Sequence, residues 1–287
     1  MSTQCEQKSA RAPRSSACQL GRVVALVVTA LFSVATSGGS ERRSDSQSPS
    51  QFRLAQQKLR LVAVPAGEFL MGSDDGSSDE EPVTRVTISR PFWIGATEVT
   101  VDQYRMVMEV AGSDGRLDHA VADVTWHDAM EFCRRLNQRA RQAGWLPEGY
   151  EFSLPTEAQW EYSCRAGTKG DFAGNLSDLG WYSGNAGMQR QPGRVAQKLS
   201  NAWGLFDMHG NRWEWCRDWY GSYSGVPVSD PTGPAAGSFR VGRGGSSSHL
   251  PSRCRSAARN FDSPEYQSGD LGFRIVLTTD SATGLSK

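Results

Sequence analysis

The second half of this chain has no helical periodicity, and this feature constrains the fold more than any other. Between Gly167 and Gly272 apolar residues do not recur at helical spacing, and the segment is rich in Gly, Trp, Asn and Ser. Trp dominates cores and binding surfaces, and Gly is used where the backbone turns or packs closely. The 9 Trp and 30 Gly among 287 residues therefore predict a compact, loop-rich domain and argue against a helical bundle or a solenoid.

The first half contains three helix start signals. Each is a Thr followed three positions later by an acid or an amide, which is the capping-box pattern. The three boxes predict helices from Thr100 to about Ala111, from Thr125 to about Ala143, and from Thr156 to Gly167.

Short apolar runs before and after these helices predict strands. Leu59–Pro65 and Phe69–Gly72 are joined by Ala66-Gly67 and predict a hairpin. Arg85–Ser89 alternates with period two, and Gly272–Thr278 is an extended run. Strands, then helices, then a long irregular half predict an α+β domain over residues 59–280, and not the alternating pattern of a parallel-sheet enzyme.

The N-terminal segment is typical of a signal peptide over residues 1–35. Four basic residues precede a 13-residue apolar run, Val23–Ala35, and small residues stand at Ser33 and Ala35. An uncleaved anchor is the alternative, but the run is shorter than the ~20 residues that a membrane span needs. We therefore expect export to the periplasm or outside the cell, with membrane contact only through this leader.

The ends of the chain flank the predicted domain. Residues 36–58 are rich in Ser, Gln and Arg and predict a flexible linker, and residues 281–287 form a tail. Removal of residues 1–35 takes away four basic residues and one acid and leaves a net charge of −3, from zero for the whole chain. Without a basic excess, nucleic acid is not an expected partner.

Several common catalytic patterns are absent from the sequence. There is no G-x-S-x-G, no Walker loop and no G-x-G-x-x-G opening a helix. The four His residues have no H-x-H or H-E-x-x-H spacing. Four Cys remain after the leader, none in a C-x-x-C pair, and in an exported domain they are compatible with one or two disulfides.

Six collinear segments resemble the formylglycine-generating enzyme, or sulfatase-modifying factor, family. They are Val64–Ser73, Ile94–Thr100, Phe152–Tyr162, Gly204–Trp215, Arg243–Ser246 and Leu271–Arg274. The resemblance implies a C-type-lectin-like fold that is poor in regular secondary structure. It also implies a copper-dependent oxidase that uses O₂ to convert a cysteine of a sulfatase into formylglycine.

This chain departs from the family where copper would bind. The family holds copper with two cysteines shortly after the Gly-Gly-Ser segment, and soft thiolates suit Cu(I). When residues are counted forward from Ser246, the two copper positions are occupied by His249 and Cys254. Counted backward from Ala257-Ala258-Arg259, the segment is three residues short and Cys254 lies near a structural cysteine of the family. In neither register are two cysteines present, so copper is not expected; a His249/Cys254 metal pair, with both as catalytic candidates, is the alternative.

The resemblance also implies where the cysteines would pair. The family joins the regions around Cys164 and Cys254 by a disulfide, and we expect that bond here. Cys133 resembles another family cysteine, but Ile275 stands at the position of its usual partner. Cys133 is therefore either a buried free thiol or the partner of Cys216.

The segment from Asp207 to Glu214 resembles a calcium site of the family. The resemblance implies carboxylate ligands from Asp207 and Glu214 and carbonyl ligands from Gly210 and Arg212, which suit a hard cation with a structural role. The alternative is that the two acids cap turns or pair with arginines. A second family calcium site would begin near Asn185, but its later ligands are not recognisable.

Three functions follow from this sequence. The first is an exported binding or accessory domain without copper chemistry, with a protein or small-molecule ligand, sulfatases included, at the C-terminal loop. Its candidate contacts are Ser247, Ser248, His249 and Arg253. The second is the formylglycine-generating oxidase, or a relative that uses another metal. The third is a ligand-display protein with a variable C-terminal surface, formed by those four residues and by Leu250, Phe261, Glu265, Tyr266 and Gln267.

Overall fold

The computed structural model describes residues 53–54 (backbone only), 59–112, 115–187 and 193–279. The predicted signal peptide and the tail lie outside these residues. No helix in the described ranges is long and apolar enough to cross a membrane. All described residues belong to one unit, Gln47–Lys287.

Twelve strands and four α-helices are present in the described ranges. The strands are β1 Arg53–Leu54, β2 Leu59–Val64, β3 Gly67–Met71, β4 Thr84–Ile88, β5 Phe92–Gly95, β6 Tyr150–Ser153, β7 Trp213–Trp219, β8 Val228–Ser229, β9 Arg240–Arg243, β10 Arg259–Asp262, β11 Leu271–Gly272 and β12 Val276–Thr279. The helices are α1 Val101–Met108, α2 Trp126–Gln142, α3 Glu157–Arg165 and α4 Leu176–Leu179. Short 3₁₀ turns occur at Ser78–Glu80 and Pro251–Cys254.

The strands form three sheets with the orders β1-β2-β5-β12-β6, β10-β9-β7-β11 and β3-β4-β8. The predicted hairpin of β2 with β3 is wrong. β2 pairs with β5, whereas β3 pairs with β4 in another sheet. The two residues between them turn the chain from one sheet to the other. β1 pairs with β2, so residues 53–54 of the predicted linker join a sheet.

All three predicted capping boxes are present. Thr100, Thr125 and Thr156 each accept a hydrogen bond from the third helical residue, whose side chain bonds back to the cap. α1 ends at Met108, before the expected Ala111, because Glu109 adopts a left-handed conformation with φ of 61°.

Two buried apolar clusters form the core. One joins α1 and α2 to the first sheet, and the other joins α3 to the strands around it. Trp160, Trp213 and Trp215 are buried in these clusters, so these three Trp residues pack in the core. Cys133 lies in one cluster and Cys216 in the other, and both are free thiols.

Candidate functional site

Buried ion pairs hold the elements of the C-terminal half together. We call this set the ion-pair frame; it consists of Glu157–Arg259, Glu161 with Arg165 and Arg243, and Glu214–Arg274. The acids lie on α3 and β7, and the arginines come from α3, β9, β10 and the segment before β12. Each of the three acids is bound by at least one of the four arginines, so none of these buried carboxylates lacks a counter-charge.

Glu214, a predicted calcium ligand, belongs to this frame. Arg274 Nε lies 2.5 Å from Glu214 Oε2, and Arg274 Nη2 lies 2.6 Å from Glu214 Oε1. Trp160 Nε1 donates to Glu214 Oε2 at 2.7 Å. Both carboxylate oxygens therefore have partners, and Glu214 and Arg274 are fully buried.

Next to this pair lie three buried oxygen atoms without partners. They are Glu98 Oε2, Asp207 Oδ1 and Asn211 Oδ1, and we call them the oxygen cluster. Glu98 and Asp207 are 1% exposed and Asn211 is fully buried. Asn211 Nδ2 donates to Glu98 Oε1 at 2.8 Å, and Ala196 N donates to Asp207 Oδ2 at 2.6 Å. Buried oxygens without a donor are costly, so this cluster fits a bound cation.

The pKa shifts of the acids in the oxygen cluster also favour a bound cation. Burial raises the pKa of Asp207 to about 6, with a further increase from Glu214. Burial, followed by the charges of Asp207 and Glu214, raises the pKa of Glu98 well above its usual value. A nearby cation would favour the ionised forms and reverse both shifts.

The backbone around Asp207 has an unusual conformation. Asp207 and Asn211 have φ of 57° and 59°, and Gly210 has φ of 104°. A side chain at Gly210 would meet the Trp181 carbonyl oxygen at 1.9 Å. The turn from Asp207 to Arg212 is thus tightly packed, and it carries the Gly210 and Arg212 carbonyl groups that were predicted to bind calcium.

Calcium fits this set of hard oxygen donors. In the described ranges no three His, Cys, Asp or Glu side chains are arranged to hold a metal ion. Cation binding would therefore need the Asn211 amide oxygen and backbone carbonyls as well. Asn185, the weak candidate for a second site, caps a turn: its Oδ1 accepts from Tyr182 N and its Nδ2 donates to Gly180 O, both at 2.9 Å.

The loop from Ser246 to Cys254, called the C-terminal loop, contains a hydrogen-bonded polar group. Ser246 Oγ lies 2.6 Å from His249 Nδ1 and donates to Asp270 Oδ2 at 3.0 Å. Ser246 is fully buried. The serine oxygen is therefore enclosed between His249 and Asp270 and is not exposed to solvent.

The predicted ligand contacts divide into buried and exposed residues. Ser247 is fully buried, with its N–H bound to Asn211 O at 3.0 Å, so it contributes no surface. Ser248 is exposed, and the His249 and Arg253 side chains are partly exposed. The Arg253 guanidinium lies 5.3 Å from the Trp213 ring centre. The exposed apolar candidates are Leu250 (66%), Phe261 (43%) and Tyr266 (46%); Glu265 and Gln267 are also exposed.

The structure does not form the predicted Cys164–Cys254 disulfide. Both residues are buried free thiols. Cys164 Sγ faces Ser256 Oγ at 3.7 Å, whereas Cys254 Sγ lies 3.8 Å from Ser246 O. His209 contacts both residues, through the Cys254 carbonyl at 2.9 Å and the Cys164 sulfur at 3.7 Å. Ser256, not Cys254, thus occupies the place opposite Cys164.

The residues at the C-terminal loop do not fit a copper site. Cys254 is its one thiol, and burial raises the pKa of that thiol to about 12, which disfavours the thiolate that binds metal. The Nδ1 atom of His249 is already bound to Ser246. One protonated thiol and one engaged imidazole do not replace a pair of thiolates.

Sequence reasoning missed Glu98, Asn211, Ser246 and Asp270. Glu98 carried a usable signal, because a single acid between Ala96 and Val99 interrupts an apolar run and such an acid needs a buried partner. Asn211 directly follows Gly210, and both Gly and Asn adopt left-handed backbone conformations readily, so the pair indicates a tight turn. No local pattern marks Asp270.

The fold and the buried site define a C-type-lectin-like domain held by internal ion pairs. Two solved structures share this architecture. Treponema denticola variable protein 1 is 27% identical with a TM-score of 0.68, and the match covers 76% of this chain and 94% of that one. PvdO from Pseudomonas aeruginosa is 25% identical with a TM-score of 0.69, covering 79% and 97%.

The chain belongs to the sulfatase-modifying factor enzyme 1-like domain family, whose profile matches residues 47–279. The formylglycine-generating enzyme of Streptomyces coelicolor is 35% identical over 78% of this chain and 90% of that protein. The bovine formylglycine-generating enzyme is 28% identical over 78% and 76%. The family resemblance and the fold class predicted from the sequence are therefore confirmed.

Proposed function

We propose that this protein is an exported binding member of the family that does not use copper oxidase chemistry. The observation that carries the proposal is the C-terminal loop, where His249 bound to Ser246 and the buried Cys254 thiol stand in place of a thiolate pair. Outside this loop the chain keeps the family match over residues 47–279, and the ion-pair frame holds this fold together.

The surface of the loop supports binding. Leu250 at 66% exposure follows Ser248 and His249 in the chain, and Phe261 and Tyr266 are further exposed aromatic residues of the C-terminal half. Ser246 Oγ and Ser268 Oγ donate hydrogen bonds to the two oxygens of Asp270, which holds the start of the loop in place. A rigid support under exposed apolar and polar side chains lowers the entropy lost on binding. The partner class we favour is a protein segment, with sulfatases first because relatives of this chain are formylglycine-generating enzymes.

A labelled peptide that carries a sulfatase cysteine tests this proposal. We expect the peptide to bind, as measured by fluorescence anisotropy, and its cysteine to stay unmodified by mass spectrometry when Cu(I) and O₂ are supplied. Leu250→Asp should weaken binding, because it places a charge on the exposed apolar contact. Leu199→Asp is the matched control, since Leu199 is 65% exposed outside the loop.

Anaerobic titration with Cu(I) separates the two chemical alternatives. We expect no stoichiometric thiolate charge-transfer band, and the same weak uptake in Cys254→Ser. One equivalent of copper bound through Cys254, together with conversion of the peptide cysteine once O₂ is admitted, would overturn the proposal in favour of the oxidase.

We further propose that the oxygen cluster binds calcium in a structural role. Glu98, Asp207 and Asn211 would supply side-chain oxygens, and Gly210 and Arg212 their carbonyls; the ion would neutralise the buried carboxylates. Calcium should raise the melting temperature of the wild type relative to EGTA. In Asp207→Asn this increase should disappear, while the Asn oxygen can still accept from Ala196 N. An equal calcium response in both proteins would contradict the assignment.

A further inference from the structure

The structure contains a cavity that is lined by residues of neither the C-terminal loop nor the oxygen cluster. It has a volume of about 420 Å³ and is bounded by β3, β4, β8, the first turn of α3 and the loop after β7. Its walls are mainly apolar and include Met71, Val86, Ala158, Pro231 and Pro234. A cavity of this size fits a small organic molecule.

Two acids line this cavity, and one of them is fully neutralised. Glu157 receives two hydrogen bonds from Arg259, at 2.7 Å on Oε1 and 2.9 Å on Oε2. The Tyr223 hydroxyl also donates to Glu157 Oε1 at 3.0 Å. This paired carboxylate adds little net charge to the cavity.

The other acid, Asp218 on β7, forms no ion pair within the part of the chain that the structure describes. It is 4% exposed, and its Oδ2 accepts a hydrogen bond from Glu157 N at 3.1 Å. Its Oδ1 has no hydrogen-bond partner, and no ion pair joins Asp218 to any residue in the described ranges. A nearly buried carboxyl group with one free oxygen thus stands in a wall of an apolar cavity.

We propose that this cavity binds a small organic ammonium ion, whose nitrogen donates to Asp218 Oδ1 and whose carbon body packs on the apolar walls. A buried carboxylate without a counter-charge is unfavourable. An ammonium group supplies both the charge and a charge-assisted hydrogen bond. The carbon body of the ligand displaces water from the apolar walls, which favours binding. An anion of the same shape is repelled by the same carboxylate.

The ionisation of Asp218 gives the binding a pH dependence. Burial, and then the facing carboxylate of Glu157 at the start of α3, raise the pKa of Asp218 to about 7. The Glu157 N–H, Arg217 on the same strand and Arg240 on β9 act in the opposite direction. An ammonium ion binds the ionised form, so its affinity should increase as the pH rises from 6 to 8.

Titration with phenethylamine, followed by NMR shifts of the Trp indole N–H groups, tests the proposal. We expect phenethylamine to bind the wild type about tenfold or more tightly than 2-phenylethanol, its neutral counterpart. Asp218→Asn should remove this preference, because its amide oxygen can still accept from Glu157 N but it carries no charge. Asp178→Asn, a change of an exposed aspartate outside the cavity, should leave it unchanged.

The outcomes are distinct from those for the proposed function, because neither the peptide nor copper enters this experiment. Equal affinity for the amine and the alcohol, or an amine preference that persists in Asp218→Asn, would overturn the proposal. If Asp218→Asn does not fold, the wild type alone still decides: an amine affinity that does not increase between pH 6 and 8 contradicts the role of Asp218.

Discussion

The ion-pair frame and the oxygen cluster are two buried polar regions in contact, and they are built in opposite ways. In the frame, Glu214 has an arginine on both of its oxygens. In the cluster, Glu98 and Asp207 each keep one oxygen without a donor. A satisfied network stabilises a fold unaided, whereas a half-satisfied one requires something more. The frame therefore needs no added ion to hold the fold, and the cluster is the place where we propose that a cation binds.

The largest effect should come from breaking the frame. Arg274→Met leaves Glu214 fully buried with only the Trp160 N–H as a partner, and loss of one member of a buried ion pair costs about 3–5 kcal/mol. The free energy of unfolding from a urea titration measures this loss. A change below about 1 kcal/mol would show that the frame and the cluster do not differ as described.

An intermediate effect should appear in the pH dependence of the metal-free protein. The pKa of Asp207 is raised in the folded state to about 6, so the folded state holds its proton over a range where the unfolded state has lost it. The contribution of Asp207 to the free energy of unfolding is therefore fully present at low pH. It should decrease by about 2–3 kcal/mol as the pH rises toward 6. Glu98, whose pKa is also raised, acts in the same direction.

Urea titrations in EGTA between pH 4 and pH 7 check this slope. Asp207→Asn is the comparison variant, because it removes the titrating group and should flatten the curve. Calcium should also flatten it, since the ion favours the carboxylate form. If the free energy of unfolding of the wild type in EGTA increases steadily with pH, the oxygen cluster does not lack hydrogen-bond donors as described.

The smallest effect should come from an exposed ion pair of similar geometry. On α2, Glu131 accepts from Arg134 and Arg135 at 2.6–2.8 Å. These hydrogen bonds lower the pKa of Glu131 to about 2, but the pair lies in solvent, where such contacts contribute little. Glu131→Gln should leave the urea midpoint almost unchanged. A loss as large as that of Arg274→Met would show that burial is not what separates the two classes of pair.

The sequence predicted those parts of the fold that depend on local chemistry. The capping boxes at Thr100, Thr125 and Thr156 fix helix starts through contacts three residues apart. Strand pairing is not local, and this is why the predicted hairpin of β2 with β3 was wrong. β5 and β12, from distant parts of the chain, complete the sheet of β2.

The site was predictable only in part for the same reason. Asp207 was identified from its own segment, but Glu98 joins it from far upstream, and no spacing rule connects them. The segments that carry the family resemblance supply Glu161, Glu214, Arg243 and Arg274 to the frame. The resemblance therefore identified the scaffold correctly and said less about the C-terminal loop, where Ser256 rather than the expected Cys254 faces Cys164.

The free cysteines of this domain determine how it should respond to redox conditions. All four cysteines of the described ranges are buried free thiols, so the described part of the chain contains no cross-link among them. We therefore expect dithiothreitol to leave the melting curve unchanged. We also expect the domain to reach the same conformation in a reducing buffer as in an oxidising one.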